Sequence, residues 1–401
     1  MRVDFGFIYL DIPVQLPTNV ARARWCRLLS GRPYPGERAM ATLQNVEWEE
    51  CLLEPRRDAE LERDVRKAYG FPFPLIRFYS PCPWLARSFI NANYRNGQLV
   101  HIDLGLADLI FLAVSQDNSC RYCYASQRAA LRILGFDEER IRRVEEAAFT
   151  AEADRGERLA LDFARRFSRS NPPPSAADKA ALREAGYSDE AVKEIAYMAS
   201  YTVGGNQIAT LPAVPLERVE GMDARWLFKL LRPLLARLLR SRRKRGRPEF
   251  LSSELKTSPF AYVACELDGL PVARISQEVR DSAWRSPILT QRAKALIFAV
   301  VARGLGSKRS EAEAKRLLAP LGLDEAEVDE ILSHLASPKL DPIEAAIVPY
   351  ARETIRYRPV DIQRRGRKLR EQLTVEQFLE LVGVVSLANA TCRLSLVLCE
   401  T

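Results

Sequence analysis

Two cysteines three residues apart, Cys120 and Cys123, form the chain's only CxxC pair. At that spacing both thiols lie on one side of a helix's first turn, near enough to close a small disulfide. A helix N-terminus also favours the thiolate, which is the attacking form. The flanking residues place a helix start there. Residues 109–114 (LIFLAV) are apolar, and 115–119 (SQDNS) are polar and rich in types that begin helices. An apolar helical pattern then resumes through Ala129, Ala130 and Leu134 to Gly135. Redox chemistry is therefore the leading reading, ahead of a pair of structural residues and of metal binding. Structural zinc normally takes four ligands, a second CxxC is absent, and the only histidines are His101 and His334.

The elements that must carry this pair are set by a chain of 401 residues, a length comfortable for two domains. Hydrophobic residues make up 47% and charged residues 28%, enough for an ordered core and a polar surface. The sequence has no continuous apolar run of about 20 residues, so no spanning helix is expected. Residues 1–13 carry acids within their apolar stretch and no small-residue cleavage site, so no secretory signal is read. Six of the eight cysteines are scattered singly, which favours a reducing, cytoplasmic setting over a disulfide scaffold. No Gly-rich phosphate loop is present, and no cofactor is expected.

The net charge of +8 is concentrated in one place. Arg232, Arg237, Arg240, Arg242, Arg243, Lys244, Arg245 and Arg247 follow a leucine stripe that begins at Leu227. A helix docking its leucines with solvated arginines is the favoured reading of 216–254. A membrane surface or nucleic acid bound through Arg237 to Arg247 is the lesser one, and aromatic interleaving is absent.

Residues 109–141 align without a gap on residues 296–328 at an offset of 187, with ten of thirty-three positions identical. Both windows open on Leu-Ile-Phe and close on Gly-x-Asp-Glu. Further on, Ser188 and Thr374 each precede an acidic turn and an apolar final helix. The sequence thus reads as two copies of one helical unit, 68–215 and 255–401, behind an N-terminal segment 1–67 packed on them. Alternating strands are lacking apart from a weak candidate at 5–10, so the expected class is all-α. Cys120 becomes Ser307 in the second copy and Cys123 becomes Ser310. Packing therefore does not demand cysteine at these sites.

The run Leu-Ala-Val-Ser-Gln-x-Asn-x-Cys-x-Tyr-Cys at 112–123, with a helix and Gly-x-x-x-Glu after it, resembles the carboxymuconolactone decarboxylase / alkylhydroperoxidase D-like family. The resemblance covers about residues 70–211 and, more weakly, 260–397. Redox members of that family carry a Glu twelve residues before the first Cys and a His four residues after the second. The resemblance implies that Cys123 attacks a peroxide and that Cys120 resolves the product as a disulfide. It places Asp108 at the Glu position and Gln127 at the His position. Gln127 hydrogen-bonds but cannot take up a proton near neutral pH, so the expected general base is lost there.

Together these readings describe a weak peroxide-reducing thiol oxidoreductase, reset by a cellular dithiol. One alternative is a non-catalytic helical binding or assembly protein with vestigial thiols. Another is decarboxylase-like chemistry on a lactone or small acid. The tandem copies would form a pseudo-dimer in one chain, and association into a homo-oligomer is compatible with that arrangement.

Overall fold

The computed structural model describes residues 43, 46–69, 75–147, 155–216 and 249–400. The strand candidate at 5–10, Trp25 and the basic stretch 226–247 lie outside them. Among the described residues the chain is all-α: eighteen α-helices, two 3-10 turns and no strand. In chain order, α1 is Ala59–Tyr69, α2 Ile76–Tyr79 and α3 Pro83–Asn91, with a 3-10 turn at Tyr94–Asn96. Then come α4 Leu104–Asp117, α5 Arg121–Leu134, α6 Glu138–Glu145, α7 Arg155–Arg169, α8 Ala176–Glu184 and α9 Asp189–Thr210. Past the basic stretch, α10 is Ser253–Thr257, α11 Ala261–Cys265, α12 Pro271–Arg285, α13 Gln291–Leu305 and α14 Lys308–Leu318. A 3-10 turn at Ala319–Leu321 leads to α15 Glu325–His334, α16 Pro342–Glu353, α17 Pro359–Arg370 and α18 Val375–Leu398.

The helix ends follow local chemistry, and it recurs in both halves. α3 and α12 each begin with a proline, whose missing N–H costs nothing in a helix's first turn. α5 stops at Gly135 with φ 102°, and the turn after α14 ends at Gly322 with φ 87°. Both are left-handed positions that glycine takes without strain. Asp137 and Asp324 then cap the next helices, each accepting a backbone N–H with its carboxylate.

The longest helices, α9 and α18, pack against each other at the centre. A Cβ placed on Gly204 would sit 3.7 Å from Ala390 Cβ and 3.7 Å from Ser386 O, so the two backbones approach closely there. Ser200 Oγ donates to Ala390 O at 3.0 Å along the same seam. Two buried apolar clusters flank the pair, and each draws on both halves of the chain. Ile76, Tyr79, Trp84 and Leu85 of α2 and α3 belong to the cluster built on α13, α16 and α18. Val263, Ala264, Val272 and Ala273 of α11 and α12 belong to the cluster built on α4, α7 and α9. Of the N-terminal segment, residues 49–52 meet the second half: Gln363 Oε1 accepts Glu49 N–H at 3.0 Å, and Arg364 pairs with Glu49 at 2.9 Å.

α18 is long and apolar enough to cross a membrane, with a mean hydropathy of 1.7, yet 78% of that window is buried inside the protein. It escapes notice as a continuous apolar run because Glu380, Asn389 and Arg393 interrupt it. All three are buried and partnered. Glu380 meets Lys294 as an ion pair at 2.7 Å, without hydrogen-bond geometry at that oxygen, while its other oxygen accepts Ser286 Oγ at 2.7 Å. Arg393 donates to Ser168 O at 3.0 Å, Ile355 O at 2.9 Å and Asn389 Oδ1 at 2.6 Å.

The glycines of the two central helices should respond differently to a methyl group. A Cβ on Gly383 would lie 2.6 Å from Trp84 Cη2 and 2.7 Å from Cζ2, a rigid ring buried in the core. Gly383→Ala should therefore lower stability by about 1–3 kcal/mol through overpacking. Gly204→Ala meets only ordinary contacts and should be neutral or gain up to about 1 kcal/mol from helix propensity. Urea denaturation of both variants checks the contrast.

Candidate thiol site

The turn that presents the cysteines is built by backbone hydrogen bonds. Ser119 N–H donates to Gln116 O at 3.1 Å and Cys120 N–H to Ser115 O at 3.0 Å, closing the end of α4 in a Schellman arrangement. This requires a left-handed residue, and Ser119 supplies it with φ 52°. The position 187 residues later is Gly306, φ 77°, in the same pattern of bonds. The chain then enters α5 at Cys120, whose φ −77° and ψ 94° match the −80° and 95° of Ser307 at the start of α14. Cys120 Sγ stands where a capping oxygen would, accepting Cys123 N–H at 3.3 Å.

The two sulfurs are joined as a disulfide, with the Cα atoms 5.4 Å apart. Cys120 is fully buried and Cys123 is 5% exposed. Cys123 Sγ lies 3.8 Å from Gly205 O on α9, beside the crossing with α18. Asn206, the next residue, donates to Val114 O at 3.3 Å, and its Oδ1 accepts Ser115 Oγ at 2.9 Å. The helix that carries the crossing thus also fixes the turn that carries the thiols.

Asp108 is fully buried on α4, not a surface carboxylate. Its Oδ1 accepts hydrogen bonds from Tyr94 Oη and, at 2.6 Å, from Arg95 Nη2. Gln127 is 5% exposed, one turn after Cys123 on α5. Its amide lies beside the Asp108 carboxylate and helps hold the charge there. The geometry falls short of a well-formed hydrogen bond, since Asp108 Oδ2 and Gln127 Nε2 are both without a partner among the described residues. The fold therefore brings together the two residues that stand at the Glu and His positions of the resemblance. Burial pushes the Asp108 carboxyl above its usual range, with Arg95, Tyr94 and Gln127 pulling it back.

Tyr94 and Arg95 went unseen in the sequence. They come from the 3-10 turn before α4, where no periodic pattern marks an inward side chain. Tyr94 also packs edge-on to Tyr201 at 5.4 Å and near Phe111 at 6.3 Å. Burial pushes the Tyr201 hydroxyl up to about 12. Tyr124 and Arg128 serve a separate network: Tyr124 Oη donates to Glu145 at 2.6 Å, and Arg128 pairs with Glu138 and, at 3.3 Å, with Glu145. Arg121 lies over the Trp48 ring at 5.9 Å. His101 is exposed, and its backbone N–H donates to Glu194 at 2.8 Å. Among the described residues no group of three His, Cys, Asp or Glu side chains is placed to hold a metal ion.

At the matching position of the second half, Ser307 and Ser310 are fully buried with their Oγ atoms 2.8 Å apart. Glu400 closes over them. Its Oε1 accepts Ser307 Oγ and Ser395 Oγ, both at 2.7 Å, and its Oε2 accepts Lys308 N–H at 2.9 Å. A carboxylate thus takes the favourable place for negative charge at this helix start, which in the first half adjoins the sulfurs.

Comparison of the chain with protein-family models, with curated proteins and with solved structures returned no match.

Ser119 stores a small strain that its counterpart Gly306 avoids, because a side chain in the left-handed region crowds the following carbonyl. Ser119→Gly should raise stability by about 0.5–1 kcal/mol, net of glycine's greater freedom in the unfolded chain. A shift of the urea midpoint at unchanged slope is the expected reading.

Proposed function

We propose that this chain is a thiol–disulfide oxidoreductase that reduces a peroxide through Cys123 and Cys120, built as a tandem pair of alkylhydroperoxidase-like units of which only the first carries thiols. The observation that carries the reading is the joined Cys120–Cys123 pair at the start of α5, with Asp108 and Gln127 buried side by side one turn further along.

In the reduced protein Cys123 sits in the first turn of α5, where the helix N-terminus favours its thiolate. The thiolate attacks one peroxide oxygen and the O–O bond breaks. The other oxygen leaves as alkoxide or hydroxide and takes up a proton. Cys123 is then a sulfenic acid. The Cys120 thiol displaces water from it, forming the disulfide, and a cellular dithiol returns both thiols by exchange. Cys123 is the more exposed of the two sulfurs, which suits it to the attacking role. Asp108, beside Gln127, is a group that can exchange a proton. Gln127 itself orients but does not titrate.

The order of the thiols is tested by substitution. Cys123→Ser should abolish peroxide consumption. Cys120→Ser should allow a single turnover and leave a sulfenic acid on Cys123, read by mass spectrometry after dimedone labelling. The reverse pattern exchanges the roles. No reaction of the pair with peroxide, while other cysteines oxidise, favours the non-catalytic reading, for which the burial of both sulfurs speaks.

The missing imidazole sets the pH dependence. With only the helix N-terminus to favour the thiolate, the rate should climb as pH approaches the free-thiol value of about 8.5. Gln127→His should raise the rate at pH 7 by roughly 10-fold to 100-fold, since an imidazole one turn from Cys123 restores a general base. An unchanged pH–rate profile in that variant would show that position 127 does not serve Cys123.

A further inference from the structure

The half that carries the thiols also carries a polar pair that the other half does without. At the offset of 187 residues Asp108 becomes Ala295 and Gln127 becomes Ala314, both fully buried. α13 and α14 form around these alanines and are joined by the turn already described at Gly306. Packing therefore asks for neither a carboxylate nor an amide at these places. A buried carboxylate is costly unless its charge is met. Asp108 is kept only where the cysteines are kept.

Its charge is met by one residue. Arg95 Nη2 donates to Asp108 Oδ1 at 2.6 Å, and among the described residues Arg95 is the only cation in contact with that carboxylate. The local turn fixes its approach. Asn93 Oδ1 accepts Arg95 N–H at 3.1 Å, Gly97 ends the turn with φ 87°, and the guanidinium lies over the Tyr94 ring at 5.2 Å. Tyr94 Oη adds a neutral donor to the same carboxylate oxygen. Charges on the neighbouring elements are engaged elsewhere. Glu145 of α6 pairs with Arg128 at 3.3 Å, Asp117 at the far end of α4 pairs with Arg169 at 2.9 Å, and Arg121 lies over Trp48. α9 meets Cys123 with Gly205 O, and its Asn206 and Tyr201 are uncharged. The second-half residues grouped with the sulfurs are apolar.

We propose that Arg95 is a positioning residue of the thiol site: as the counter-charge of Asp108, it keeps the buried carboxylate beside Gln127 from opposing the thiolate of Cys123. Two negative charges in one buried site disfavour each other, and a cation on the first lifts the penalty on the second. Asp108 and Arg95 together carry no net charge. The carboxylate can then hold the Gln127 amide, one turn from Cys123, without suppressing the attacking form of the thiol. The inference rests on the reading of Cys123 as a reactive thiolate, and it does not require that the thiolate's partner be a peroxide.

The readout is the pH at which Cys123 of the reduced full chain is alkylated by iodoacetamide at half its maximal rate, followed by mass spectrometry of its peptide. Arg95→Met should move that midpoint up by about one pH unit, because the carboxylate is left bare. Asp108→Asn should move it down, because Arg95 is then unopposed. Combining the two substitutions should return the midpoint to within about 0.3 of the natural value, since both charges are gone. A loss of packing at Arg95 would not be repaired by a second substitution at Asp108. Arg95→Lys keeps the charge and should hold the midpoint near the natural value. Should Arg95→Met fail to fold, the downward move in Asp108→Asn and the unmoved midpoint in Arg95→Lys decide the matter. The proposal is overturned by an unchanged midpoint in folded Arg95→Met, by a shift that Asp108→Asn does not reverse, or by no downward move in Asp108→Asn alone. A Cys123 that stays unalkylated up to about pH 10, well above the free-thiol value, overturns it as well. Peroxide consumption by the natural protein is measured alongside. Its absence, with the midpoints as expected, removes the peroxide reading and leaves the role of Arg95 standing.

Discussion

The close crossing of α9 and α18 is the constraint on which the rest of this protein depends. It buries polar groups that must then be satisfied across the seam. Several of these bonds reach from one half of the chain to a backbone carbonyl of the other. Gln207 donates to Thr354 O at 2.8 Å, Gln363 to Thr210 O at 2.9 Å, and Arg393 to Ser168 O at 3.0 Å. Apolar contact alone would let two helices slide or rotate. Directional bonds to fixed carbonyls select one register, because any other leaves buried donors unmet.

The thiol site inherits its geometry from that register. Gly205 and Asn206 follow directly on the crossing residue. One lies against Cys123, and the other holds the end of α4 through Val114 and Ser115. The sulfurs thus sit at the edge of the seam, grouped with apolar residues of the second half, whereas Tyr124 one turn-face away belongs to the first-half cluster. Asp108 is tied from another direction, by a turn that precedes its own helix. Three separate elements therefore fix the site: α9 behind the sulfurs, α5 beneath them, and the Tyr94–Arg95 turn on the carboxylate.

What the sequence discloses is the part governed by local rules. The polar break before Cys120, the glycine after α5 and the Asp137 and Asp324 caps locate helix ends, because capping is decided within four residues. The all-α class follows from the same periodicity. Burial of a particular polar residue is another matter. Nothing in the sequence marks Asp108 as buried, since its partners Tyr94 and Arg95 lie on an irregular turn. α18 is masked as a core helix by the charges it buries, which look like solvent contacts until Lys294 and Ser168 are seen beside them. Nor does an internal repeat say which copy a given hairpin covers. Both choices bury the same kind of surface.

That last choice bears on how the protein is made. Since α2 and α3 are built into the cluster of the second half, and α11 and α12 into that of the first, neither core is complete until more than half of the chain has left the ribosome. Long-range closure of this kind is slow, because loop entropy is lost before the contacts that offset it are gained. During synthesis the apolar face that Val263, Ala264 and Val272 will cover stays open, and so do the residues of α2 and α3 that await α18. Each core therefore needs helices from the other half, and the first half carries exposed apolar surface until the second has been made.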